Sequence, residues 1–123
     1  MKRGKIIISE KKVTIVPVNG TVWLSDWQIA QLFEVYQVKI SSNIRSILKS
    51  GVLRAEEVFY CHHYENGSCI DLYNLEMITA LAFRIHSPKT DLFRNWLMKQ
   101  AVKQSPVFIE WGNGSKIYDF NLN

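Results

Sequence analysis

Residues 25–51, SDWQIAQLFEVYQVKISSNIRSILKSG, constrain the fold most, because they read as two short amphipathic helices joined by a tight turn. Ser25 carries a hydroxyl able to cap an orphan N–H, and Gln28 three residues later completes a capping box. This places Trp27 at the start of the first helix. Ile29, Ala30, Leu32 and Phe33 then form an apolar stripe, with Ala30 small enough to let a second helix cross closely. In the second helix Ile40, Ile44, Ile47 and Leu48 recur at i, i+4, i+7 and i+8, and Gly51 supplies a stop. The spacing predicts a helix over 37–50, and the pair over 25–51 reads as a helix-turn-helix.

The other side of that second helix presents Lys39, Ser42, Asn43 and Ser46, flanked by Arg45 and Lys49, with Gln37 near the start. No carboxylate interrupts it. Long cations suit phosphates, while Gln, Asn and Ser suit base edges, which is the chemistry of duplex readout. The candidate DNA-binding set is therefore Gln37, Lys39, Ser42, Asn43, Arg45, Ser46 and Lys49. The plainer alternative is the solvated polar face of an ordinary helical hairpin.

At 123 residues the chain is read as one domain, long enough to bury a core without metals or disulfides. No stretch approaches the roughly 18 apolar residues of a membrane span, so a soluble cytoplasmic protein is expected. The net charge of +4 fits nucleic-acid binding without demanding it, and its distribution says more. Besides the helix over 37–50, the start of the chain holds Lys2, Arg3, Lys5, Lys11 and Lys12 against Glu10. A third series, Arg84, Lys89, Arg94, Lys99 and Lys103, is opposed by Asp91.

The only two cysteines bracket two histidines in CHHYENGSC, residues 61–69. A Cys2His2 zinc site is disfavoured, since adjacent histidines on a strand point to opposite faces and structural zinc ligands usually pair at tight spacings such as C-x2-C. The segment reads as two strands around Asn66-Gly67, in which Cys61 and Cys69 face one another as hairpin side chains. A facultative metal and a disulfide are the lesser alternatives. No cofactor and no metal are assigned.

Elsewhere, apolar runs at Ile6 to Ile8, Val13 to Val16 and Thr21 to Leu24, with Asn19-Gly20 as a turn, predict a small β-meander. A hairpin over 58–73 follows the helix-turn-helix in the position of a wing, although its tip carries Glu65 and no Lys or Arg. Glu56-Glu57 before it reads as a solvated turn. Asn74 caps a core helix over 74–86 whose apolar surface is Leu75, Ile78, Thr79, Ala82, Phe83 and Ile85. Ser87-Pro88 opens a helix over 88–104 with Leu92, Phe93, Trp96, Leu97 and Val102 as its buried stripe. Ser105-Pro106 ends it, and a hairpin over 107–120, around Gly112-Asn113-Gly114, is expected to extend the N-terminal sheet or meet another subunit. No phosphate loop, HExxH or nucleophile with a partner series occurs, so no catalytic residue is assigned and the chain is read as a non-enzyme.

The series Trp23, Leu24, Ser25, Ile29, Ala30, Leu32 and Phe33, then Tyr73, Asn74, Leu75 and Glu76, then Arg84, Ile85 and Ser87, then Phe93, Arg94 and Trp96 resembles the N-terminal domain of the RhuM-type virulence protein family. The likeness covers roughly residues 5–104. It implies a bacterial protein of mobile-element or pathogenicity-island type with a DNA-binding domain, distantly similar to phage antirepressor N-terminal domains. Members of that family tend to be longer, so the resemblance implies a stand-alone or shortened one. Two departures fall at the turn: Glu34 stands where the family usually has Gly, and Gln37 where an arginine is usual. Phe93 and Trp96 are expected in the core, with Arg94 clasping a nearby carboxylate or carbonyl, a phosphate contact being the alternative.

The combined expectation is an α+β, winged helix-turn-helix-like domain binding double-stranded DNA in transcriptional or mobile-element regulation. A homodimer is expected, because one short helix reads too few bases alone. The competing expectation is a protein-interaction module that keeps the helix-turn-helix as scaffold and meets a protein partner near Trp111 and Tyr118.

Overall fold

The computed structural model describes residues 1–103, together with the backbone of strands 108–111 and 116–119. The chain is α+β. Strands β1 (Lys5–Ile8) and β2 (Val13–Val16) pair antiparallel, with Ile6 opposite Ile15, and direct Ile6 and Val13 inward. Gly4 precedes them at φ +72°, and a Cβ there would lie 2.5 Å from the Val16 carbonyl oxygen, so only glycine fits. Asn19 and Gly20 take the two positive φ values of a tight hairpin turn, and Val18 bridges Thr21 across it.

The expected third strand of the meander does not form. Along Thr21 to Leu24 the chain makes isolated contacts instead: the Trp23 N–H donates to the Arg3 carbonyl at 2.8 Å, and Leu24 exchanges both backbone bonds with Tyr73. The Leu24 N–H and carbonyl both bond Tyr73, and neither reaches β2.

Helix α1 (Asp26–Phe33) begins with the expected capping box: Ser25 Oγ accepts from the Gln28 N–H at 3.2 Å, and Gln28 Oε1 accepts from the Ser25 N–H at 2.9 Å. It buries Ile29, Ala30 and Phe33. Helix α2 (Gln37–Ser50) has the expected bounds, buries Ile40, Ile44 and Ile47, and stops at Gly51 in the left-handed conformation. One helical turn, α3 (Ala55–Val58), replaces the expected turn at Glu56-Glu57, although both carboxylates remain in solvent.

Strands β3 (Phe59–His63) and β4 (Cys69–Tyr73) form the next hairpin. Asn74 then joins three elements: its Oδ1 caps α4 (Leu75–Arg84) at the Met77 N–H, its Nδ2 donates to the Glu57 carbonyl, and its N–H donates to that of Val58. The buried face of α4 is Met77, Ile78, Leu81 and Ala82, with Ile85 beyond it, whereas Phe83 is exposed. Leu75 and Thr79 are half-buried, so the buried face is rotated about the helix axis toward Met77 and Leu81.

Helix α5 (Pro88–Lys103) starts from Ser87, whose hydroxyl accepts from the Thr90 N–H while the Thr90 hydroxyl accepts from the Ser87 N–H. Phe93 is fully buried against Phe33, ring centroids 5.8 Å apart, and Trp96 and Leu97 pack beside it. Val102, expected in this stripe, is 81% exposed. A helix of 16 residues runs about 24 Å, longer than the ten-residue α4 and the eight-residue α1 against which it packs, so its last turns outlive the helices beneath them.

Strands β5 (Phe108–Trp111) and β6 (Lys116–Asp119) pair with each other as a separate two-stranded ladder and do not extend β1 and β2. The Gly112-Asn113-Gly114 loop, the Ser105-Pro106 stop and the side chains of Trp111 and Tyr118 lie outside the described residues.

Ser25→Ala removes the only oxygen that caps the Gln28 N–H at a site 5% exposed. We expect a loss of about 1 kcal/mol, read as a lower urea midpoint with an unchanged slope.

Candidate nucleic-acid interface

The turn between α1 and α2 sets where α2 points. Glu34 sits at φ 55°, ψ 48°, in the left-handed region. Its N–H donates to the Gln31 carbonyl at 3.2 Å, and the Val35 N–H reaches back to Ala30 at 3.0 Å. These two bonds make a Schellman closure that normally favours glycine. The turn keeps its geometry with a glutamate in place, at a conformational cost on the order of 1 kcal/mol. Its far side is held by Ser87, whose hydroxyl donates to the Phe33 carbonyl at 2.7 Å. Ser41, near the start of α2, donates to Asp26 Oδ2 at 3.1 Å and ties the two helix N-termini together.

Of the seven candidate residues, Gln37, Lys39, Ser42, Arg45, Ser46 and Lys49 are exposed along α2, and Asn43 is half-buried. Asn43 Nδ2 and Ser42 Oγ both donate to the Lys39 carbonyl, at 2.8 and 3.2 Å. Each keeps acceptor capacity, and Asn43 one further N–H, so neither is fully spent on its own helix. Lys39, Arg45 and Lys49 make no salt bridge among the described residues.

Two exposed residues at the leading end of α2 escaped the sequence reading. Tyr36, the N-cap, is 87% exposed and Val38 is 76% exposed. The sequence analysis gave neither a role, and the signal that could have found them is register: neither falls on the Ile40, Ile44, Ile47 stripe. Tyr36 gives no side-chain cap and no acid occupies the first turn of α2. That end therefore offers backbone N–H groups and the positive end of the helix dipole to an anion. A groove of about 600 Å³ runs past it, lined by Glu34, Tyr36, Lys39, His86 and Pro88.

Three cations of the other basic series are structural. Arg94 donates to the carbonyls of Ala82 and Ile85 and pairs with Asp91, so it clasps the end of α4, as the clasp reading expects. Lys89 Nζ donates to the Ile8 carbonyl at 3.1 Å, and Arg3 to Gln28 Oε1 at 3.0 Å. Arg54 pairs with Glu56 and Glu57 at exposed positions, where such pairs contribute little.

On the β3 and β4 hairpin, His63 lies opposite Cys69 and Cys61 opposite Asp71, so the two cysteines are diagonal neighbours on one face rather than a directly facing pair. His62 is on the other face, its ring 4.8 Å from that of Tyr64 and 6.2 Å from that of Tyr60. The sulfurs of Cys61 and Cys69 and a ring nitrogen of His63 lie within 4.8 Å of one another. Interaction with the Cys69 thiol, lost hydration and the Asp71 carboxylate push the Cys61 thiol up to about 11. Burial, with Asp71 and Asp26 nearby, likewise raises Tyr73.

No protein-family model, curated protein or solved structure matches the chain. Among the described residues no helix is long and apolar enough to cross a membrane.

Glu34→Gly relieves the left-handed strain while leaving both closing bonds in place. We expect stabilisation on the order of 1 kcal/mol, offset in part by the freer unfolded chain, and measured as a higher urea midpoint.

Proposed function

We propose that the chain is a non-enzymatic, RhuM-type DNA-binding protein in which α2 is the recognition helix of a winged helix-turn-helix-like unit. It acts in transcriptional or mobile-element regulation as a homodimer, so that two copies of α2 read two half-sites. The observation that carries this reading is the solvent face of α2, where Lys39, Arg45 and Lys49 alternate with uncharged donors and acceptors and no carboxylate intrudes. Arg45 and Lys49 suit phosphates along the groove wall, while Gln37, Ser42, Asn43 and Ser46 have the chemistry to meet base edges. At the leading end, Lys39 and the uncapped N–H groups suit a phosphate, and Val38 suits a thymine methyl. The wing role of the β3 and β4 hairpin is supported by its order in the chain and by the bridge from Tyr73 to Leu24, immediately before the α1 cap.

A second reading, a protein-interaction module, is favoured by one specific observation. Tyr36 and Val38 together form an exposed apolar corner beside the acidic Glu34. A partner buried on that corner would associate with little dependence on salt, whereas release of counterions makes duplex binding fall steeply with it.

Fluorescence anisotropy with a mixed-sequence duplex at about 50 and 200 mM salt separates the two, over the range where phosphate contacts lose affinity steeply. Salt-sensitive binding is expected, and no binding at the lower concentration would sink the DNA reading. Lys39→Ala and Arg45→Ala should each lower the slope of log affinity against log salt by about one. An unchanged slope in both would remove α2 from the interface.

A further inference from the structure

We infer that Cys61, His63 and Cys69 on one face of the β3 and β4 hairpin form a binding site for a single zinc ion, with an open fourth position. This goes beyond the DNA reading and does not depend on it. Strand alternation and register do the selecting: Cys61 and His63 are two apart on β3, Cys69 lies directly across from His63, and all three share a face. His62, between them in sequence, belongs to the aromatic face with Tyr60 and Tyr64. The set is therefore two sulfurs and one imidazole, not two of each.

The spacing is close to what the ion requires. With Zn–S near 2.3 Å and Zn–N near 2.0 Å, a tetrahedral site separates its donor atoms by about 3.5–3.8 Å. The three donors already lie within 4.8 Å of one another, and His63 and Cys69 are exposed, so side-chain rotation alone can draw them in. Asp71, directly opposite Cys61, adds negative charge beside the cluster. The turn holds the two strands at this spacing: Gly67 takes a positive φ, and Asn66 Oδ1 accepts from both the Ser68 N–H and its hydroxyl.

A disulfide is the weaker competitor for the same sulfurs. Diagonal positions of an antiparallel pair have Cα atoms roughly 7–8 Å apart. Disulfides usually need about 4.4–6.8 Å. Zinc spans the longer diagonal because the ion lies between its ligands. On binding, each thiol releases its proton to solvent, the neutral imidazole donates a lone pair, and no electron transfer is involved. A two-stranded hairpin has little stability of its own, so a clamp near its tip would order it.

The test is a titration of the full, reduced chain with cobalt(II), followed by zinc. The expected result is one cobalt per chain, with thiolate-to-cobalt charge transfer and the visible bands of a tetrahedral ion, both bleached by one equivalent of zinc. Cys61→Ser, Cys69→Ser and His63→Gln should each weaken binding at least about tenfold. His62→Gln on the opposite face, and Glu65→Gln at the tip, should leave it unchanged, with circular dichroism checking the fold of each variant. Absence of thiolate charge transfer at one equivalent, one metal per two chains, or equal loss in His62→Gln would overturn the site.

Discussion

Helix α1 is eight residues long, and a helix of that length does not persist in water on its own propensity. Distant parts of the chain hold it at both ends. Before its N-terminus, Leu24 is clamped to Tyr73 by two backbone bonds; in the cap itself, Gln28 is shared between Ser25 and Arg3. At its C-terminus, Ser87 reaches from the start of α5 to the Phe33 carbonyl, while Phe33 is buried against Phe93. Since α2 follows after one tight Schellman turn, the orientation of its polar face is inherited from the way α1 is held.

The same arrangement explains why the net charge is a poor guide to where an anion would bind. Several cations that look available in the sequence are committed to backbone carbonyls or amides: Arg94 closes α4, Lys89 ties α5 to β1, and Arg3 braces the α1 cap. These groups join elements far apart in the chain, and their long stems cover apolar surface on the way. The cations of α2 have no such duty. What distinguishes α2 is that Lys39, Arg45 and Lys49 make no salt bridge among the described residues and that no carboxylate shares their helix.

Periodicity made α2 legible to the residue, because its apolar positions recur at helical spacing between a clear start and a glycine stop. The capping signals Ser25, Asn74 and Ser87 were equally legible, since each acts within three residues of itself. Apolar residues without a unique face were misassigned. Phe83 and Val102 were placed in the core and are exposed, while Met77 and Leu81 are buried without having been singled out. Hydrophobicity marks what can be buried, not which neighbour arrives to bury it. The segment Thr21 to Leu24 looked like a strand for the same reason, yet its backbone partners are Arg3 and Tyr73 rather than β2.

By itself the sequence determined the α+β class, the two successive helices over 25–51, the carboxylate-free face of α2 and the split of His62 from His63 across the hairpin. Each follows from a period of 3.6 or 2, or from a cap, and so from contacts a few residues apart. Only the tertiary structure decided that Trp23 and Leu24 bond to Arg3 and Tyr73 rather than to β2, and that Phe83 and Val102 stand in solvent. It also decided that Arg94 and Lys89 are structural, and that Cys61 meets Cys69 diagonally beside His63. Those outcomes depend on which surfaces meet across 9 to 81 residues of chain, and on a strand register that a one-residue slip would reverse.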